Sequence, residues 1–414
     1  MNRRTQWVLG SIVAVLLGAC AGISNPRPGA SGFAPDRIER LKSVVRADVE
    51  KGRIPGVVLL VARDGQLVLH EAIGVQNPAS SAPMRTDSIF RIYSMTKPLV
   101  SVATMMLIEE GRLQLSDPVS RYLPELKGLK VGVEKKDAAG QASLEIVAAA
   151  REMTVYDLLR HTSGLTYGEF GKSMVKDLYA KNGVNDRDHS NADLIKKLTT
   201  VPLMFQPGET WEYSRSTDVL GHLLERVTGQ DLDRVLDERI IKPLGMRDTG
   251  FFVGTEHQSR IAEPFAKEPE TGAAVILLPV REKPKYLAGG QGLVSTGADY
   301  LRFAQMLLNG GELDGVRILS RKTVEFMTSD HLGGIRGGPA AGYGFGLGFA
   351  VRASTGQSPA PGSAGEYNWG GLGGTYFWID PKERLVAIWM MQSPHMRVHY
   401  RGIYRDLVYG ALVN

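Results

Sequence analysis

The stretch Phe90–Val100, FRIYSMTKPLV, sets a serine three residues ahead of a lysine where an apolar helix begins. Spacing of three on a helix brings Ser94 and Lys97 onto one face, within reach of each other. Pro98 suits a first helical turn, where its missing N–H would be unpaired anyway. The run LVSVATMMLI, Leu99 to Ile108, would bury the rest of that helix and hold its start rigid. A hydroxyl at such a start faces unpaired N–H groups and the positive end of the helix dipole, which favour an oxyanion. Two readings follow: an N-terminal helix serine beside a solvated lysine, or a nucleophile with its activating amine.

Spacing alone does not separate them. A second match, Ser173 to Lys176 in GKSMVKD, reads as a polar loop with no apolar helix behind it. The rest of the chain supplies the context. Its 414 residues, 43% hydrophobic and 22% charged, suffice for a large buried core and argue against disorder. The net charge of +5 is a small surplus of 49 basic over 44 acidic residues. No Lys/Arg block is long enough for a nucleic-acid or lipid-headgroup patch.

The N-terminus reads as a leader. MNRR is cationic, and WVLGSIVAVLLG, Trp7 to Gly18, is an apolar run suited to a signal-peptide core. It ends in LGAC, which resembles the bacterial lipobox, with Cys20 as the lipidated first residue of the mature protein. The plainer alternative is a secretory signal cut at a nearby small residue. Cys20 is the only cysteine, so no internal disulfide is possible. Residues 20–35, rich in Gly, Pro, Ala and Ser, then read as a flexible tether.

Beyond the tether, DRIERLKSVVRADVEKG carries apolar residues at helical spacing. Two β-rich runs follow, GVVLLVAR and QLVLHEAIG, joined through Asp64-Gly65, a tight-hairpin signal. From Met95 to about Gly250 the pattern is mostly helical, with polar insertions at Lys130–Ala149 and Tyr167–Ser190 that read as surface loops or a lid. After about Tyr286 strands return in GYGFGLGFAV, NWGGLGGTYFWID and RLVAIWMM, the last two parted by Asp380-Pro381. A final amphipathic helix, YRGIYRDLVYGALV, closes the chain. The expectation is an α+β domain over 36–414. Its antiparallel sheet is built from both chain ends (about 36–90 and 286–414) and flanked by helices, with a mostly helical insertion (about 91–285).

Other motifs carry less. His395 and His399 are four apart but lack HExxH, so no metal site is read there. GGQG at Gly289 lacks the GK[ST] of a phosphate loop and reads as a backbone turn. No GxSxG elbow occurs. His161, in RHTSG, reads as a brace for its loop.

Three segments in order resemble the serine hydrolases of the class C β-lactamase and penicillin-recognising superfamily, and most of all the family VIII carboxylesterases. They are SMTK at Ser94, YSR at Tyr213 in PGETWEYSRSTDVLGHLLE, and WGG at Trp369 in NWGGLGGTYFWIDP. LLRHTSGL from Leu158, AGGQGLVST from Ala288 and GYGFGLGF from Gly342 support the resemblance, which spans about Ile54 to Met391. It implies a β-lactamase-like fold and a part of the active site carried by the helical insertion. It also implies an acyl-enzyme on Ser94, with Lys97 and Tyr213 sharing the task of taking its proton and neither singled out as the base. A cation beside a tyrosine favours its phenolate.

Carried over by position, the oxyanion hole is the backbone N–H of Ser94 and Leu372, and Trp369, Gly370, Gly371 and Arg215 contact substrate. No cofactor or metal is implied. Trp369 stands where β-lactamases of this superfamily have lysine, and Arg215 where the tyrosine motif has Asn or Ser. A lysine would pair with a substrate carboxylate and Trp cannot, so both departures favour short-chain esters. The expected protein is a lipid-anchored periplasmic esterase acting on small molecules, with no nucleic-acid partner. The rivals are a β-lactamase or D-amino-acid peptidase or transesterase using the same site, and a non-catalytic envelope binding protein.

Overall fold

The computed structural model describes residues 31–414. The leader, Cys20 and most of the tether therefore lie outside the described residues. The tether's expected end needs correction. Phe33 is buried and bridges Leu412, and Ala34 N–H donates to Ala411 O, so residues 31–34 already belong to the folded body. An aromatic in an otherwise small-residue segment is what anchors it.

Strands from the two ends of the chain meet in one eight-stranded antiparallel sheet. Gly56–Arg63 sits near its middle, paired with Gln66–Asn77 on one side and with Leu385–Met391 on the other. Beyond Leu385–Met391 follow Tyr376–Asp380, Tyr367–Gly370, Ala350–Arg352 and Tyr343–Phe345. The turn between the first two strands is at Asp64 and Gly65, with φ of 53° and 73°, the left-handed geometry a tight hairpin requires.

Alternation along the central strands separates two cores. Val57, Leu59, Val61, Trp378 and Trp389 face the N-terminal helix Pro35–Glu50 and the C-terminal helix Arg397–Ala411. Val58, Leu60, Ile388 and Met390 face the other way, toward the helix Gly297–Leu308 and the insertion. Leu59 is fully buried, so Leu59→Ala should cost about 2–5 kcal/mol. The chain leaves the sheet at Phe90–Arg91 and returns at Val294–Ser295. These two segments pair with each other and close the neck of the insertion.

The insertion is less purely helical than expected. Lys130–Lys136 and Ala142–Ala148 form a β-hairpin, not a loop. Val131 and Val133 recur at every second position, as do Leu144 and Ile146, and Gly140 at φ 82° closes the turn. Tyr167–Ser190 contains the helix Met174–Lys181, so Ser173 and Lys176 also stand at a helix start.

Candidate active site

Ser94 lies in a single 3₁₀ turn, Tyr93–Met95, that feeds the helix Thr96–Glu109. Tyr93 has a φ of 46°, an unfavourable value for an aromatic residue, so the surroundings must impose it. They do so from several sides. The Tyr93 hydroxyl accepts from Leu278 N–H at 3.0 Å, Tyr300 donates to Met95 O at 3.0 Å, and Thr96 Oγ1 accepts from Leu293 N–H at 3.1 Å. A Cβ on Gly373 would lie 2.8 Å from the Tyr93 ring, so glycine there lets the turn and the sheet edge touch.

Lys97 is buried, 1% exposed, whereas Ser94 remains partly accessible. The Lys97 ammonium reaches three oxygens: Gly290 O at 2.7 Å, the Tyr167 hydroxyl at 3.2 Å and Ser94 Oγ at 3.3 Å. None belongs to a carboxylate. From the other side the Tyr213 hydroxyl donates to Ser94 Oγ at 2.7 Å, and Trp369 Nε1 donates to Tyr213 at 3.3 Å. The ammonium also lies 4.5 Å from the centre of the Tyr213 ring, a cation–π contact that fixes both groups.

Backbone bonds of the two residues before it hold Tyr213 in place: Trp211 N–H to Arg336 O at 2.8 Å and Glu212 N–H to His161 O at 2.9 Å. The His161 ring packs on Tyr213 with centroids 5.1 Å apart, and its Nδ1 meets Ser214 Oγ at 3.1 Å. Burial, and then the Lys97 charge, pull the His161 pKa well below the ordinary imidazole value. A neutral imidazole bonded to Ser214 acts as a brace, as its loop motif suggested.

Ser94, Tyr213, Trp369, Gly370 and Leu372 all line one cavity of about 620 Å³. Leu372, 36% exposed, stands in the turn after the strand Tyr367–Gly370. Gly371 is set back from the wall: its N–H donates to Thr375 O at 2.8 Å, and a Cβ would strike Ile92 O at the nucleophile turn. That close approach brings the strand end up to Ser94.

Arg215 is placed differently from the sequence expectation. It is 1% exposed and does not line the cavity. Its guanidinium bonds Glu169 at 3.3 Å and Asn185 at 3.2 Å, lies 3.7 Å from Asp218, and stacks 4.7 Å from the Tyr167 ring. These partners all come from the insertion, and they draw the side chain inward.

Tyr167 and Gly290 are the site residues that sequence reasoning left unassigned. The Tyr167 hydroxyl touches Lys97 from a segment read as surface insertion. Burial, followed by the Asp218 and Tyr213 charges, raises its pKa well above the usual phenol value, so it is a neutral hydroxyl. Gly290 N–H donates to Asp218 at 3.0 Å, which turns its carbonyl toward Lys97, and a Cβ there would lie 2.8 Å from the Asp218 carboxylate. The signal for the carbonyl was the Gly-Gly pair itself. Phe170, from the same insertion as Tyr167, adds an aromatic wall to the cavity.

Comparisons with known proteins show the family. Residues 41–410 match the Beta-lactamase family, and the chain belongs to it. It is 36% identical over 361 residues to protein Rv1367c of Mycobacterium tuberculosis, covering 84% of this chain and 88% of that one. It is 33% identical over 362 residues to esterase EstB of Burkholderia gladioli, covering 82% and 86%. Among solved structures it resembles EstCE1, "a hydrolase with promiscuous acyltransferase activity", with a TM-score of 0.74, 27% identity, and 90% and 98% of the two chains covered. The fold is that of the β-lactamase-like serine hydrolases, a family with esterase and acyltransferase members.

Proposed function

We propose that this chain is a serine carboxylesterase that cleaves short-chain esters through an acyl-enzyme on Ser94. One observation carries the reading: an accessible serine hydroxyl lies 2.7 Å from a tyrosine hydroxyl and 3.3 Å from a buried ammonium that no carboxylate among the described residues neutralises. A serine hydroxyl is a weak nucleophile until its proton is taken, and these two groups are the ones in reach. Lys97 and Tyr213 act as a coupled pair: with one proton removed from the pair, it takes the Ser94 proton as the serine oxygen bonds the ester carbon. The backbone N–H groups of Ser94 and Leu372 hold the oxyanion. Tyr213 returns the proton to the departing alkoxide, and water releases the acid.

Trp369 supports an ester over a β-lactam or a D-Ala-D-Ala peptide, because an indole offers one N–H and no charge at the third motif, and here that N–H goes to Tyr213. The similarity to EstCE1 favours a second outcome for the acyl group, transfer to an alcohol, on the same machinery. The lipobox-like LGAC supports a lipid anchor on Cys20 and a periplasmic setting.

The test compares p-nitrophenyl butyrate and a chromogenic cephalosporin on wild type and Ser94→Ala. Butyrate turnover that Ser94→Ala abolishes, with little cephalosporin hydrolysis, is expected. Faster cephalosporin turnover would reassign the enzyme as a β-lactamase, and Ser94-independent turnover would remove the mechanism.

A further inference from the structure

Two buried charges stand behind Lys97 and take no part in the steps above. Arg215 and Asp218 open the helix Ser216–Thr228, Arg215 as its N-cap residue and Asp218 in its first turn, and each is 1% exposed. Their side chains lie 3.7 Å apart. Three polar atoms of this cluster find no hydrogen-bond partner among the described residues: Arg215 Nε, Asp218 Oδ2 and the Tyr286 hydroxyl. A loosely bonded pair in a buried site leaves its charges to act on their neighbours.

Those neighbours are the oxygens around Lys97. Of the three that meet the ammonium, two are held from behind by this pair. Arg215 stacks on Tyr167, whose hydroxyl lies 3.2 Å from Lys97. Asp218 accepts from Gly290 N–H at 3.0 Å, and the Gly290 carbonyl lies 2.7 Å from Lys97. The Tyr167 ring touches both cations, its centre 5.6 Å from the Lys97 ammonium and 4.7 Å from the Arg215 guanidinium. Like charges so placed disfavour each other, and a carboxylate beside them offsets that. Burial raises the pKa of Tyr167 and Tyr286 first, the Asp218 charge adds to the shift, and Arg215 opposes it.

Other groups face the Lys97–Tyr213 pair. His161, packed on Tyr213, is held neutral, as are Tyr167 and Tyr286. Arg401 faces Tyr213 from the C-terminal helix and remains a cation. Glu212, next to Tyr213, pairs with Lys176 at 3.0 Å. Glu169 meets Arg215 with 42% of its side chain exposed, so water screens it.

We infer that Arg215 and Asp218 are positioning residues that set the pH range in which the Lys97–Tyr213 pair takes the Ser94 proton. Arg215 acts through Tyr167, and Asp218 through the Gly290 peptide. This rests on the esterase reading above. It gives Arg215, which stands where the tyrosine motif has Asn or Ser, a task that needs no contact with substrate. The Arg215 charge disfavours the cationic form of the pair and extends activity toward acid. The Asp218 charge favours that form and limits the extension.

The experiment follows the pH profile of kcat/KM for p-nitrophenyl butyrate on wild type, Arg215→Met, Asp218→Asn, the double variant and Glu169→Gln. Arg215→Met should move the acid limb to higher pH and Asp218→Asn to lower pH, each by about half a unit or more. The double variant, with neither charge, should fall between the two. Glu169→Gln, at an exposed position, should shift the limb slightly in the direction of Asp218→Asn. A pair that only braced the fold would lower kcat/KM at every pH and leave the limb in place. That result, or shifts of one sign in Arg215→Met and Asp218→Asn, overturns the inference while leaving the esterase standing. Where a buried variant fails to fold, those that fold are read by the same rule, and exposed Glu169→Gln keeps one reading independent of the core. If the ester is not turned over, the reaction assigned to Ser94 falls instead. The pH dependence of fluorophosphonate labelling at Ser94 then decides: opposite shifts in the two single variants support the inference, and an unmoved profile or no labelling overturns it.

Discussion

Two Ser-x-x-Lys segments stand at helix starts in this molecule, and they do opposite things with the same spacing. Ser173 is the N-cap of Met174–Lys181, its hydroxyl accepting from Lys176 N–H at 3.1 Å, and Lys176 pairs with Glu212 at 3.0 Å. Both groups are thereby used up in local structure. Ser94 caps nothing: the helix after it begins at Thr96 with no side-chain cap, so the hydroxyl is left to Tyr213 and Lys97. Lys97 is as buried as a core residue yet meets only neutral oxygens. Reactivity here comes from what the motif is denied, a cap for the serine and a carboxylate for the lysine.

That contrast can be broken by substitution. Ser94→Ala should lower ester kcat/KM by about 10⁴-fold or more, and Ser173→Ala should leave it within about twofold, measured with p-nitrophenyl butyrate. Lys97→Met and Tyr213→Phe should each cost about 10²–10⁴-fold, as loss of a general base does, and comparable rates in either variant would show that it is not needed. Tyr167→Phe removes one of three oxygens around Lys97 and should cost about tenfold, chiefly in kcat.

Two smaller effects sharpen the comparison through stability. Ser173→Ala should destabilise the fold by about 1 kcal/mol in urea titration, the usual value of a lost cap. The second effect depends on pH. His161 has a folded pKa below its unfolded value of about 6.5, so the unfolded chain takes up the proton first. Its contribution is therefore fully present above about pH 6.5 and is lost as pH falls toward the folded pKa. The Lys97 charge is the second cause after burial, so Lys97→Met should lessen that acid loss relative to wild type. Lys176→Met, whose charge is already paired, should not. Parallel Tm–pH curves for the two variants would contradict the assignment.

The sequence carried much of the architecture because alternation and turn chemistry are local. The two runs flanking Asp64-Gly65 and the three returning runs, which hold five strands, all joined one sheet. Ser94, Lys97, Tyr213 and Trp369 converge on one cavity or its buried edge, from motifs that could be read singly. What escaped depends on partners far along the chain. Arg215 was read as a substrate contact, but Glu169, Asn185 and Asp218 claim it. Tyr167 reaches Lys97 from a distant segment, with Arg215 stacked behind its ring. The hairpin Lys130–Ala148 was missed because its charged alternation resembles a solvated loop, and the Ser173 helix because it spans only eight residues.

The most direct test of the central claim is to find which serine carries the covalent bond. Treating the purified protein with a fluorophosphonate and mapping the labelled peptide should give one adduct, on Ser94, with activity lost in proportion. Labelling should vanish in Lys97→Met and persist in Ser173→Ala. An adduct on Ser173 or elsewhere, or full activity with Ser94 blocked, would contradict the account.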